Sequence, residues 1–481
     1  MVRRLYFHPL SSFPGPRLAA ATSLYKTYYD IIKGGEMLTQ IHRLHSIYGS
    51  VIRIGPNELH FNDFRAYSEI YSVGSHLTKD PKFYSCFNAN GSAFGAIDPH
   101  VSKTRRSFMN KFFSRKEVIK LEDVIQQKVD RLVSKLETTS GTTTDMFLAF
   151  RSATLDIITA YMFGHCLDAI EYPDFSSPLL LNIQIALPLL WVIKSFPWVL
   201  PILSILPKSK WCARSIFEQF QALLFVRNFL VASLDRTAQE VKLKAHPEPS
   251  LSTICHRLFD PMSKAGLIYP SLQAIIDESL SLLQAGSDTV GNTCTVGTFY
   301  VLNDKVIYTQ LITELRTQWP DKTVPVDLAF LQKLPYLTAV IKESLRLSHG
   351  FVTPLPRIVG HSGAKVGGFE IPPNTIVSMS VTSVHLNETL FPNPSQFKPE
   401  RWLHSSHLSL GRFLVPFSAG PRMCMGMSMA WAELYLFFGY LFRKLDMQII
   451  DTDISDFCTY KDYFVPIHVG RHLRILVAEG G

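Results

Sequence analysis

The stretch FSAGPRMCMG, residues 417–426, closes a loop and opens onto the apolar run MCMGMSMAWAELYLFF. Cys424 stands two residues after Arg422, between Met423 and Met425, and is bracketed by Gly420 and Gly426. A metal-binding thiolate stays ionised where cations, backbone N–H groups and the positive end of a helix surround it, and the apolar run supplies such a helix. The two glycines let the backbone approach a flat ligand closely or take positive φ, and Phe417 can shield the sulfur. Cys424 by itself also fits a structural buried cysteine; the full spacing Phe-x-x-Gly-x-Arg-x-Cys-x-Gly separates the two readings.

The rest of the chain sets the frame for that loop. Its 481 residues, 47% hydrophobic and 18% charged, can bury a sizeable core and lie outside the composition of disordered chains. That length allows about three average domains or one large one. No repeat, low-complexity tract or polar linker forces a boundary. The seven cysteines, at 86, 166, 212, 255, 294, 424 and 458, are scattered, with neither zinc-site pairs nor a disulfide framework, as in a reducing compartment. A net charge of +8 favours an acidic partner. Without a Lys/Arg run interleaved with aromatics, nucleic acid is not that partner; an anionic membrane surface or an acidic protein is.

No uninterrupted apolar stretch of about 18 to 20 residues is present to span a bilayer, and the opening MVRRLYFHPLSSFPGPRL lacks a signal-peptide core. The segment from Pro178 to Pro207 is apolar but broken by Pro188, Pro197 and Pro201. It reads either as a dip into a membrane surface or as a buried pair of short helices.

Helical periodicity dominates: Val118, Leu121, Ile125, Val129, Leu132 and Leu136 recur at steps of three and four and line one face. SVIRIGPNELHFND and KVGGFEIPPNTIVSMSV read as hairpins. The pattern predicts a mainly α fold with a small β region. Two further constellations carry chemistry. A long helix from about Ser271 to Leu302 contains AGSDT, where Gly286 weakens the helix and the Thr289 hydroxyl competes for the Ala285 carbonyl; with Asp288 it offers a hydroxyl and a carboxylate for proton delivery. In ESLR, Glu343 and Arg346 share a helix face and can pair, and Arg401 of FKPERW can complete a three-member network near Cys424.

Taken together and in this order, AGxDT, ExxR, PERW and FxxGxRxCxG resemble the cytochrome P450 family of haem-thiolate monooxygenases, over nearly the whole chain. YFHPLSSFPGP and HRLHSIYGSVIRIGPNELH resemble fungal secondary-metabolism members of trichodiene-oxygenase type. The resemblance implies a single-domain, mostly helical fold with haem b buried between two central helices. Residues 1–16 would form a membrane-proximal Pro-rich segment and residues 17–481 the catalytic domain. Cys424 would be the axial ligand of the haem iron, a donor that favours O–O cleavage. Arg422, Arg357 and Arg106 would pair with the propionates.

The family usually carries Trp or His four residues before Arg106, where this chain has Ser102; His100 is the candidate substitute. Substrate contacts would come from Phe83, Phe87, Phe94, Leu283, Ala285, Val352, Thr353, Leu355 and Phe464, all apolar except Thr353, which suits a hydrophobic substrate. The implied reaction is hydroxylation or epoxidation of a terpenoid or meroterpenoid by O2, with electrons from NADPH-cytochrome P450 reductase docking near Lys103, Arg105, Lys111, Arg115 and Lys116. A polyketide or alkaloid substrate, a haem-thiolate isomerase or dehydratase, and a haem- or lipid-binding protein without turnover are the alternatives. Only five residues precede Tyr6, where similar fungal enzymes carry an apolar anchor. Either that anchor is missing from this sequence, or attachment to the cytosolic face of the endoplasmic reticulum is peripheral, through Pro178–Pro207.

Overall fold

Two helices cross at the centre of the molecule, and a glycine sets how closely. In the computed structural model, which describes residues 1–205, 214–243, 253–260, 262, 265–403 and 410–478, the helix Leu272–Asn303 packs along the nearly all-buried helix Met146–Phe163. A Cβ on Gly286 would lie 2.7 Å from Ile158 Cγ1, so a residue without a side chain is needed there. The expected weakening of the helix at Gly286 is not observed: the segment is helical throughout, and the Thr289 hydroxyl donates to the Ala285 carbonyl at 2.9 Å within it. Gly286 serves the crossing instead.

Helices Pro335–Ser348 and Met427–Lys444 pack on the same central helix. The periodic stripe from Val118 to Leu136 forms two helices, Arg115–Lys120 and Glu122–Thr138, meeting at Leu121, and all six stripe residues are buried in the main core. Apolar burial of this kind is the main favourable term in the fold.

The largest sheet has five strands in the order Val51–Gly55, Glu58–Phe61, Ile376–Ser378, Arg357–Ile358, Thr78–Lys79. The first two form the expected hairpin. The second expected hairpin is shorter than read: Ala364–Val366 pairs with Phe369–Ile371, while Ile376–Ser378 leaves to run parallel to Glu58–Phe61. Lys79 is the register partner of Arg357, which brings two cations side by side. A separate hairpin, Tyr460–Tyr463 with Val465–His468, turns at Phe464, whose φ is +75°.

Residues 1–16 are tied to this sheet: Arg53 donates to the carbonyls of Arg4 at 3.0 Å and Leu10 at 3.4 Å, and Leu10 is buried. The Pro-broken segment forms helices Pro178–Ala186, Leu189–Ser195 and Val199–Ile205; residues 206 and 207 lie outside the described residues. Its two tryptophans diverge. Trp191 is buried with its indole N–H on the Asp462 carbonyl, whereas Trp198 is 59% exposed. Met146–Phe163 and Pro173–Ser195 are long and apolar enough to cross a membrane, but the first is 89% buried inside the protein.

Candidate active site

The loop at 417–426 is pinned by its own backbone before it enters the helix Met427–Lys444. The Cys424 N–H donates to the Phe417 carbonyl at 2.8 Å, and Ser418 and Gly420 take positive φ, 60° and 70°. A Cβ on Gly420 would collide with the Tyr71 carbonyl, so glycine is required there. Gly426 has an ordinary negative φ; a Cβ on it would meet only Cys424 Sγ, at 3.9 Å, which leaves the space beside the sulfur open. Phe417 is half-buried against the main core.

Cys424 is exposed by accessible area yet lies deep among protein atoms. Its accessible surface therefore faces an interior space rather than the outside of the protein. Burial pushes the thiol pKa up, while the Gly426 N–H and the Arg106 guanidinium pull it down.

Four cations gather beside this loop. Arg106 donates to the Met423 carbonyl at 2.7 Å. Arg422 donates to the carbonyls of Ala96 at 3.0 Å and Ile97 at 3.2 Å and to the Ser102 hydroxyl. Arg357 donates to the Tyr84 hydroxyl at 2.7 Å. Lys79, which the sequence motifs did not single out, donates to the Phe94 carbonyl at 2.5 Å and lies 4.0 Å from the Tyr84 ring centroid. Among the described residues each of the four binds neutral oxygens and none forms an ion pair.

Burial, then repulsion from Arg357 and Arg106, lowers the Arg422 pKa to about 10; burial and the neighbouring arginines push Lys79 far below its ordinary value. Lys79 and Arg357 are buried and Arg106 and Arg422 half-buried, and basic groups gathered in this way without a carboxylate keep their charge at least cost beside an anion. The propionates of a haem above Cys424 are such anions, so the residues present fit the group. Ser102, at the position of the family's Trp or His, is an acceptor for Arg422. His100 is exposed at the start of the helix Pro99–Met109 and does not take over that place.

On the central helix, Ala285 is exposed and Thr289 half-exposed, four residues apart on one face. Asp288, the expected proton-delivery carboxylate, is shielded from bulk solvent. It is 4% exposed, its Oδ1 accepts from Arg151 Nε at 2.6 Å and Gln184 Nε2 at 3.0 Å, and its Oδ2 is buried without a partner. Arg151 is fully buried and lies 3.6 Å from the Phe147 ring centroid. Neither Arg151 nor Gln184 stood out in the sequence, because each sits more than a hundred residues from Asp288 with no spacing rule to link them.

The Glu343 network is assembled. Arg346 donates to Glu343 through Nη2 at 2.7 Å and Nε at 2.9 Å, and Arg401 Nε joins at 2.9 Å. Trp402 Nε1 and the Lys398 N–H each add a bond of 2.9 Å.

Of the expected substrate residues, Phe83, Phe87, Phe94, Leu355 and Phe464 meet in one apolar cluster with Phe351. Phe87 lies 5.1 Å from Phe94 and 4.8 Å from Phe464, centroid to centroid. Leu283 does not belong to it: it is fully buried in the main core, because the 272–303 helix turns that face toward its neighbours. Val352 is also fully buried, donating its N–H to the Phe464 carbonyl, and the Thr353 hydroxyl is bound to Asp462.

A profile of the family described as Cytochrome P450 matches residues 17–465. The chain is 34% identical to the cytochrome P450 monooxygenase macH of Penicillium terrestre, over 98% of this chain and 93% of that protein. It is 34% identical to the conidiogenone synthase PchP450 of Penicillium rubens, over 100% and 96%. It is 35% identical to the tryptophan 6-hydroxylase fscE of Fusarium equiseti, over 97% and 91%. The fold is that of the crystal structure of the cytochrome P450DA heme domain, with a TM-score of 0.77 at 16% identity and 98% coverage of both chains. With its cysteine loop, its paired glutamate and arginine and its Thr289 helix in one fold, the chain belongs to the cytochrome P450 family of haem-thiolate oxidoreductases.

Proposed function

We propose that this protein hydroxylates or epoxidises a hydrophobic secondary metabolite, a terpenoid or meroterpenoid, using O2 and electrons from an NADPH-dependent flavoprotein reductase. The observation that carries the reading is Cys424, accessible yet deep among protein atoms, beside Arg106, Arg422, Arg357 and Lys79, none of which forms an ion pair among the described residues. Haem b, when bound, supplies the oxygen activation and the oxidising power. Cys424 would ligate its iron, and Arg106, Arg422, Arg357 and Lys79 would hold its propionates. Thr289 Oγ1 holds a proton on the face it shares with Ala285, and Asp288 Oδ2 is the atom through which the next proton passes.

Retention of both Thr289 and Asp288 favours an oxygenase over a haem-thiolate isomerase or dehydratase. The relatives' names span different substrates, so the terpenoid assignment rests on the resemblance to trichodiene-oxygenase-type enzymes, and the aromatic wall of Phe87, Phe94 and Phe464 supports a hydrophobic substrate selected by shape.

The reductase would dock at Lys103, Lys111, Arg115 and Lys116, which are exposed. Arg105 turns inward, 5.6 Å from the Tyr269 ring centroid, and is not part of that surface. Membrane contact at the cytosolic face of the endoplasmic reticulum would use exposed Trp198, Ile202 and Ile205, with Tyr6 and Phe7.

The test is reconstitution with reductase, NADPH and a panel of terpenoid, polyketide and alkaloid substrates. A terpenoid product that appears only with O2 and NADPH is expected; turnover without either contradicts the oxygenase. Lys111→Glu with Lys116→Glu should slow reduction and flatten its salt dependence, and Trp198→Ala should weaken liposome binding.

A further inference from the structure

The loop between Phe87 and the helix Pro99–Met109 has little regular structure of its own, yet both of its ends are clamped by acidic or basic side chains. At one end two adjacent acids of the 272–303 helix reach its backbone. Asp277 Oδ2 accepts the Gly91 N–H at 2.7 Å, and Glu278 Oε2 accepts the Ala93 N–H at 2.6 Å. At the other end the carbonyls of Phe94, Ala96 and Ile97 accept from Lys79 and Arg422. Acids take the N–H groups and basic side chains take the carbonyls; these bonds are of the stronger, charge-assisted kind where the side chain is ionised, while burial raises the Glu278 pKa and lowers that of Lys79.

Glu278 is fully buried, and its Oε2 also accepts from the Tyr269 hydroxyl at 2.8 Å; Asp277 Oδ1 accepts from Gln273 at 2.6 Å. The fit is close: a Cβ on Gly91 would lie 2.8 Å from Ala274 Cα. Phe94 stands between the two clamps, 5.1 Å from Phe87 and 6.0 Å from Phe464.

We propose that Asp277 and Glu278 are positioning residues that hold the 90–95 segment as a strap and so fix Phe94 in the aromatic wall that selects substrate. An irregular segment loses much backbone freedom when it is ordered, and the two carboxylates supply the bonds that offset this loss on the helix side. Neither acid touches the substrate; each acts through a backbone amide and the ring that the amide places. The inference rests on reading that wall as the substrate site.

The experiment uses the haem-loaded protein and two probes that bind through an imidazole nitrogen: imidazole, which reports access to the iron, and 4-phenylimidazole, whose ring also presses on the wall. In Asp277→Ala, backbone amides in 88–98 should exchange with solvent about tenfold faster, and 4-phenylimidazole should weaken by about fivefold to tenfold while imidazole stays within about twofold. Asp277→Asn, which keeps an acceptor, should restore both, and Glu278→Gln should give an intermediate loss. In a Phe94→Ala background Asp277→Ala should weaken 4-phenylimidazole no further, because the acid acts through that ring. Unchanged exchange, equal weakening of both probes, or additive losses would each overturn the strap. If neither probe shifts the Soret band of the unsubstituted protein, the haem-iron reading fails instead, and the exchange measurement still decides whether the acids hold the loop.

Discussion

Glu343 and Arg346, three residues apart on one helix face, share two hydrogen bonds of 2.7 and 2.9 Å with neither side chain exposed to solvent. Arg346 also donates to the carbonyls of His385 at 2.9 Å and Pro394 at 2.6 Å, and Glu343 holds Arg401 and Trp402 of the segment that precedes the cysteine loop. The pair thus ties the helix Pro335–Ser348 to the segment 385–402. Its net contribution to stability is modest, because both charges are desolvated, but the cost of breaking it is large.

Glu343→Ala leaves Arg346 and Arg401 without their carboxylate. Loss of one partner of a buried pair costs about 3–5 kcal/mol, so the variant should unfold at a lower denaturant concentration and retain less haem. Denaturant titration with haem quantification checks this; a variant with unchanged midpoint and full haem would contradict it.

Thr289→Ala should still bind haem and consume NADPH, while much of the reducing power goes to hydrogen peroxide instead of product. Positioned proton transfer is typically worth roughly 10²- to 10⁴-fold, and Asp288→Asn should slow turnover as a whole. The ratio of product to NADPH consumed is the measurement. Wild-type coupling in Thr289→Ala would remove Thr289 from proton delivery and favour the isomerase or dehydratase reading.

Asp462 gives a pH prediction. Burial, with a smaller push from Asp30, raises its pKa from an ordinary 3.8 to about 6, against the pull of the Thr353 hydroxyl, the Phe464 N–H and Lys194. A carboxyl with a raised native pKa binds its proton more tightly when folded, so its contribution is fully present below about pH 4 and lost as pH rises through about 6. Asp462→Asn should therefore remove a fall in stability between about pH 4 and 6, as read from thermal midpoints across that range. Parallel pH profiles for the two proteins would contradict the shift.

The helical faces, the first hairpin and the four motifs were legible because their information is local: periods of three and four, a turn flanked by strands, residues at fixed spacing in one segment. The Glu343 partnership with Arg401 was legible because both ends carry motifs. Lys79 was not, since a lone lysine in SHLTKDP has no local mark; its place depends on strand pairing with Arg357 far along the chain. Arg151 and Gln184 escaped for the same reason. Leu283 was misplaced because an apolar residue on a long buried helix looks alike on every face, and only the neighbours decide which face meets the pocket. Gly286 was read as a weak point of the helix, whereas Ile158 across the crossing explains it.

The central claim is that Cys424 is the thiolate ligand of a haem iron, and the carbon monoxide difference spectrum of the reduced protein tests it most directly. The unsubstituted protein should give the strongly red-shifted Soret band of thiolate ligation, and Cys424→Ala should lose that band. A red-shifted band that survives in Cys424→Ala would place the ligand elsewhere and contradict the account.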